Sequence, residues 1–391
     1  MAKFSWVTKE LSALKKSGLY NDAPILKTPV SSHIKINGKP LVNFASNNYL
    51  GLANDKRLIK AAYSAMKKYG LGPAAVRSIA GTSVLHKKLE NTLAKFKKAE
   101  AVLTFQSGFI ANLATIPALV GEEDVIFSDE LNHASIIDGC RLSKAKIMRY
   151  KHADPKDLEK QIKSNRDFRR ALIITDGVFS MDGDIADLPA LVNISNKYDI
   201  PLMVDDAHGE GVLGRNGRGI VDHFNLHGKV DIEVGTMSKA FGSVGGLVAG
   251  KKTLIEWLTQ RARPFLFSSA MTIPDVAASL EAVKILSKSD KLVKKLWENT
   301  RYLKERLSVL GFNLGKSQTP IVPVIIGQEK TTREFAKRLR SHGIFAMPIT
   351  YPTVAVGTAR IRLINSAIHT KNELDKAIKA FSRVGKELKV I

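Results

Sequence analysis

The sequence predicts an α/β protein. A large domain on a mainly parallel central sheet flanked by helices is followed by a smaller C-terminal α+β domain. Two observations lead there. Through the first two thirds of the chain, short apolar runs alternate with amphipathic helical stretches, the pattern of a sheet covered by helices on both faces. After about Pro274 the texture changes to long charged helices with fewer strand-like runs between them. The chain has 391 residues, of which 44% are hydrophobic and 25% charged, enough apolar material for a substantial core.

The elements follow in order. Residues 1–50 form an arm expected to pack across both domains. It contains a helix and a short hairpin over Ile34-Lys35-Ile36-Asn37-Gly38-Lys39. Residues 51–280 form the large domain. Its candidate strands are Ala101–Phe105, Val125–Ser128, Lys146–Tyr150, Ala171–Thr175, Leu202–Asp205, Ile232–Gly235 and Gly246–Ala249. Their unbroken apolar character suits strands buried on both faces. Helical spacing appears in Leu85, Leu89, Leu93 and Phe96, and again from Leu188 through Leu191 and Ile194. Residues 281–391 form the small domain. Helices are expected over Val276–Leu310, apolar runs at Ile321–Ile326, Ile344–Met347 and Ala359–Ile364, and a last helix from Lys371 to about Leu388.

Composition narrows the function. No stretch approaches the ~20 apolar residues of a membrane span, and Met1 to Leu14 lacks a signal-peptide core. A single cysteine, Cys140, excludes an internal disulfide and a cysteine metal cluster. It reads as a small buried helix residue, and the cytoplasm is the expected location. The formal charge of +23 is spread over dispersed lysines such as Lys67-Lys68, Lys87-Lys88 and Lys97-Lys98. That pattern suits a solvated surface or a field drawing in an anionic substrate better than a nucleic-acid groove. Neither nucleic acid, nor a membrane, nor a metal is an expected partner.

In an open parallel sheet, ligands bind beyond the carboxyl ends of the strands. The residues there are Gln106-Ser107-Gly108-Phe109, Asp129–His133, Asp176–Asp182, Asp206-Ala207-His208 and Thr236–Lys239. A lysine partly desolvated at this edge has a lowered pKa and can attack an aldehyde, which singles out Lys239. Asp205, Asp206 and His208 put two carboxylates and an imidazole at a neighbouring strand end. Gly108 opens a helix whose N-terminus can face a phosphate. His133 either caps a helix or stacks on a heteroaromatic ring.

These segments, with Ser46–Leu52, Asp129–Ser135, Thr175–Gly183, Val204–His208, Gly235–Lys239 and Arg263–Ser268, form an ordered set along nearly the whole chain. The set resembles the α-oxoamine synthases, a branch of the fold-type I PLP-dependent transferases. The resemblance implies pyridoxal 5'-phosphate (PLP) in Schiff-base linkage to Lys239, which later serves as acid and base. It implies Asp205 against the pyridine nitrogen and His208 on the phenolic oxygen, with Ser180 supporting the cofactor nearby. His133 would stack on the ring and donate toward a developing oxyanion. Gly108, Phe109 and Thr236 would hold the phosphate, and Ser268 and Ser269 would reach the phosphate of a second subunit across a homodimer interface. Asn47 would point toward the acyl group. Arg362 would clamp the amino-acid carboxylate bidentately, with Arg360 as a surface or supporting residue. The implied reaction is a Claisen-type condensation of an amino acid with an acyl-CoA. Gly177–Gly183, Arg263–Ser268 and the tail Phe381–Leu388 are most similar to members that join glycine to acetyl-CoA, giving 2-amino-3-oxobutyrate. Lys16-Ser17-Gly18-Leu19-Tyr20, with no arginine-rich stretch, points the same way. The alternative is condensation of alanine with a pimeloyl thioester, with decarboxylation, in biotin synthesis. A member with relaxed acyl preference resembles both.

Overall fold

The structure, a computed structural model, describes residues 3–17, 19–20 and 22–391. Gly18, inside the Lys16–Tyr20 stretch, and Met1 and Ala2, at the head of the arm, lie outside the described residues.

The arm contributes helix α1 (Ser5–Lys16), strand β1 (His33–Ile36) and strand β2 (Lys39–Asn43). The two strands are antiparallel, and the turn between them places Asn37 and Gly38 at φ 50° and 78°. Positive φ at both turn residues matches the right-handed twist of a hairpin, and Asn-Gly adopts it at least cost. Next come α2 (Lys56–Tyr69), α3 (Val84–Lys97), β3 (Ala101–Phe105), α4 (Gly108–Leu119), β4 (Val125–Asp129), α5 (Ala134–Ser143), β5 (Lys146–Tyr150) and α6 (Pro155–Ser164). They are followed by β6 (Ala171–Asp176), α7 (Leu188–Tyr198), β7 (Leu202–Asp205), α8 (Ile220–His223), β8 (Ile232–Thr236) and β9 (Gly246–Gly250). The remainder is α9 (Lys252–Arg261), α10 (Arg263–Phe267), α11 (Ile273–Lys288), α12 (Lys291–Val309), β10 (Ile321–Gly327), α13 (Glu329–Ser341), β11 (Ile344–Phe345), β12 (Met347–Ile349), β13 (Ala359–Ile364) and α14 (Lys371–Glu387).

The seven expected strands form one sheet in the order β3-β9-β8-β7-β6-β4-β5. Strands β4 to β8 run parallel, and β9 is antiparallel to both its neighbours. Period-two alternation sends successive side chains to opposite faces. Ile173 therefore joins the core under α3, α7 and α11, while Leu172 and Ile174 join the core under α4 and α9. Covering both faces explains why β4, β6 and β7 carry no polar residues until their carboxyl ends.

A third core holds Leu303, Leu307, Val322, Phe335, Ile361 and Phe381, joined by Val42 and Phe44 from the arm. β2 pairs in parallel with β11, Val42 opposite Ile344, so the hairpin is built into the C-terminal part. The helices expected over Val276–Leu310 are α11 and α12, parted at Ser289, where an extended backbone breaks the ladder. The run Ile344–Met347 is not one strand: β11 pairs with β2, whereas β12 pairs with β13 in a separate sheet of order β10-β13-β12. Lys97 also departs from the solvated surface expected of Lys97-Lys98, being 1% exposed. Cys140 is buried on α5, as expected. Among the described residues, no helix is long and apolar enough to cross a membrane.

Candidate active site

The carboxyl ends of β3, β4, β6, β7 and β8 converge on a cavity of about 190 Å³. It is lined by Ser107, Gly108, Phe109, His133, Ser135, Asp176, Val178, Ser180, Asp205, Ala207, His208, Thr236, Ser238 and Lys239. Eight of these, Gly108, Phe109, His133, Ser180, Asp205, His208, Thr236 and Lys239, are candidate site residues of the sequence. The structure brings them together.

Lys239 follows β8 by three residues and faces the cavity. Desolvation lowers its pKa to about 8, against the opposing pull of Asp205 and Asp176. Its amine is therefore available as a nucleophile near neutral pH. Asp205 ends β7 and is buried. Its Oδ2 accepts from Asn112 Nδ2 at 2.6 Å and its Oδ1 from the Ala207 N–H at 2.9 Å. Asn112 also donates to Ser135 Oγ at 2.9 Å. It lies one turn into α4, four residues beyond Gly108, and so faces the sheet with the helix's buried side.

His133 is the N-cap of α5. Its Nδ1 accepts the Ser135 N–H at 3.2 Å, and its own N–H donates to Asp176 Oδ2 at 2.7 Å. An accepting Nδ1 leaves Nε2 to carry the proton of a neutral ring, and burial lowers the ring's pKa, keeping it neutral. His133 thus caps α5 and presents its ring to the cavity. His208 is bonded through Nδ1 to the Tyr49 hydroxyl at 2.8 Å. Burial, reinforced by Lys239 and Arg362, holds His208 well below the usual imidazole range. Burial also raises the Tyr49 pKa, so Tyr49 donates and His208 keeps its proton on Nε2.

Ser107 caps α4 by accepting the Ile110 N–H at 3.2 Å. The first N–H groups of a helix lie outside its own ladder, and here they belong to Gly108 and Phe109. A Cβ on Gly108 would stand 2.9 Å from Thr236 Cβ, so only glycine lets the turn approach β8. Thr236 Oγ1 donates to the Gly245 carbonyl at 2.9 Å.

Arg362 on the central strand β13 donates from Nη1 to the Ser180 carbonyl at 3.1 Å. Its Nε is buried without a partner. Arg360, two residues earlier on the same face, is 5% exposed and bonds the Met181 carbonyl at 3.2 Å and the Asp182 carboxylate. It is a supporting residue and not a surface one. Asn47 Oδ1 is also buried without a partner. Ser268 and Ser269 are exposed and do not line this chain's cavity. A second hollow of about 430 Å³ shares Ser180 with the first and is walled by Leu131, Phe179, Met181, Val354 and Ala355, with Lys316 at its rim.

Sequence reasoning missed Asn112, Tyr49 and Asp176 as partners of Asp205, His208 and His133. Tyr49 and Asp176 lie inside the segments singled out from sequence and Asn112 one helical turn beyond Gly108, but only the fold shows what each touches.

A single amine of lowered pKa, a buried carboxylate, two neutral imidazoles and a helix N-terminus suit a phosphorylated pyridine aldehyde. The carboxylate matches a ring nitrogen that must stay protonated, and the helix N-terminus matches a phosphate. Residues 39–381 match the family described as aminotransferase class I and II. The chain belongs to that family and, within it, to the PLP-dependent α-oxoamine synthases, which join an amino acid to an acyl thioester. It is 58% identical over 391 residues to the 8-amino-7-oxononanoate synthase of Thermosipho melanesiensis, with 100% of both chains covered. It is 56% identical over 387 residues to that of Thermoanaerobacter pseudethanolicus, covering 99% of this chain and 98% of the relative. The fold is similar to serine palmitoyltransferase from S. paucimobilis with bound PLP and myriocin, at a TM-score of 0.94 and 30% identity, covering 100% and 99% of the two chains. The expectation of glycine and acetyl-CoA as substrates finds no support in these relatives, whose name corresponds to the alternative.

Proposed function

We propose that the protein condenses alanine with a pimeloyl thioester to give 8-amino-7-oxononanoate, carbon dioxide and the free thiol. The observation that carries this reading is the name shared by relatives more than half identical along their whole length. Bound PLP supplies an electron sink for the carbanion formed at the amino acid's α-carbon.

The chain's own residues supply the rest. Asp205, held by Asn112 and the Ala207 N–H, keeps the ring nitrogen protonated. The His208 Nε2–H would donate to the phenolic oxygen, with Ser180 supporting the cofactor nearby. Gly108, Phe109 and Thr236 would hold the phosphate, and His133 would stack on the ring. The free edge of Arg362, whose Nε has no partner among the described residues, takes the amino-acid carboxylate. Lys239 moves the proton: it removes the α-hydrogen and returns one to the same carbon after carbon dioxide leaves. In between, that carbon bonds to the thioester carbonyl and the thiolate departs. The His133 Nε2–H donates to the oxyanion that develops on that carbonyl. The hollow sharing Ser180 receives the acyl arm.

A homodimer completes the site. Phe109, at the cavity, and Phe267, next to the Ser268-Ser269 pair, are 42% and 70% exposed. Large apolar side chains left bare in one region mark an interaction surface.

The test is a substrate panel on the purified holoenzyme. Alanine with pimeloyl-CoA is expected to show a higher kcat/KM for thiol release than glycine with acetyl-CoA. The opposite ranking would return the protein to glycine C-acetylation.

A further inference from the structure

Beside the cavity, on the wall of the second hollow, lies a histidine enclosed by two carboxylates. His152 follows β5. Its Nδ1 is 3.1 Å from Asp129 Oδ1 and its Nε2 is 2.8 Å from Asp184 Oδ2. Both ring nitrogens face acceptors that have no proton to give, so both donate and the ring is an imidazolium. Its side chain is 22% exposed, and those of Asp129 and Asp184 are 1% and 16%. The ring meets Phe179 at a centroid distance of 4.3 Å and a right-angled 83°. Its own N–H donates to Glu130 Oε1 at 3.0 Å.

The two carboxylates belong to different parts of the site. Asp129 ends β4 and also accepts the N–H groups of Leu131 and Ala153. Asp184 closes the turn that follows β6, where Phe179 N–H donates to the Asp184 carbonyl at 3.0 Å. Between Phe179 and Asp184 sit Ser180, Met181 and Asp182, whose oxygens hold Arg362 and Arg360. The same turn is gripped from the C-terminal part of the chain, because the Gly183 carbonyl accepts from Gln318 N–H and Thr319 Oγ1, each at 2.9 Å. His152 is the corresponding anchor on the sheet side.

We propose that His152 is a positioning residue for amino-acid binding. By bridging Asp129 and Asp184 it fixes the Phe179–Asp184 turn, so that the Ser180 carbonyl holds Arg362 with its free edge toward the substrate carboxylate. This rests on the reading of Arg362 as the carboxylate clamp. An interaction equally strong in the bound substrate and the transition state governs KM and leaves kcat little changed. The effect of losing His152 should therefore appear in the amino-acid KM.

The test compares His152→Gln, Asp184→Asn and Arg362→Gln with the parent holoenzyme, each checked for the PLP absorbance band and for its circular dichroism. His152→Gln and Asp184→Asn are each expected to raise the KM for alanine about tenfold. Their kcat at saturating acyl thioester should change less than about threefold. The double variant His152→Gln/Asp184→Asn should be no worse than either single one, because both break the same bridge. If Arg362→Gln raises the alanine KM but the two bridge variants, folded and holding PLP, stay within about twofold of the parent, the positioning role is overturned. If Arg362→Gln itself leaves the alanine KM unchanged, the clamp reading fails first.

Discussion

Replacing Lys97 with methionine removes the one cation from a buried group of three carboxylates. Its Nζ lies 3.0 Å from Glu233 Oε2, 3.2 Å from Glu210 Oε1 and 3.3 Å from Asp206 Oδ2, and it donates to the Arg218 carbonyl at 2.8 Å. All four side chains are within 8% of full burial. Removing one partner of a buried ion pair costs about 3–5 kcal/mol, because the other charge is left uncompensated in a poor solvent. Three carboxylates do not triple that figure. Burial already raises the pKa values of Asp206 and Glu210, so protons neutralise part of the charge whether or not the lysine is there. The expected loss is about 4 kcal/mol, read as a lower urea midpoint by circular dichroism with PLP in excess. Adding Glu233→Gln to Lys97→Met removes one of the stranded charges and should recover part of the loss. A Lys97→Met loss below about 1 kcal/mol, the range of an exposed pair, would refute the reasoning. Glu210 Oε2 also accepts the Thr236 N–H at 3.0 Å, so the same cluster supports the strand end that carries Lys239.

Two further outcomes are expected. Asn112→Leu removes a donor to the buried Asp205 carboxylate, a bond to a charged group worth about 1.5–3 kcal/mol. PLP should then dissociate more readily by roughly tenfold or more, measured by equilibrium dialysis; an unchanged affinity would leave Asn112 a packing residue. In apoenzyme, Lys239 has a pKa lowered to about 8 by desolvation. The ammonium form below that pH cannot attack an aldehyde, so the rate of PLP capture should rise as pH passes through about 8 and level off above it. A rise centred near the ordinary lysine value of about 10.4 would show that Lys239 is not desolvated.

The strands and the cavity were legible because both obey local rules. Strands buried on two faces announce themselves as apolar runs, and the ligand edge of a parallel sheet follows from their direction. Those rules put Lys239, Asp205 and His133 at the ligand edge, while their roles came from the family resemblance. The supporting contacts were not legible, because they join residues with no periodic relation. Lys97 stands 109 residues from Asp206, and His152 stands 23 and 32 residues from its two carboxylates. On a single sequence Lys97 is one more lysine of a basic surface, and His152 one polar residue after a strand. Ile344–Met347 misled for a related reason: one apolar run can serve two sheets when the chain crosses between their edges. The relatives' name departs from the glycine and acetyl-CoA reading, because motifs gathered around a cofactor are alike among related enzymes and say little about the acyl arm.

The most direct test of the site is to find where the cofactor is attached. Reducing the holoenzyme with borohydride fixes a Schiff base as a stable amine, and peptide mass mapping then locates it. The pyridoxyl group is expected on Lys239, in the peptide that follows β8, and to be lost in Lys239→Ala. Attachment to any other lysine, or a reduced protein carrying no pyridoxyl group, would contradict the active site built here from the carboxyl ends of the sheet.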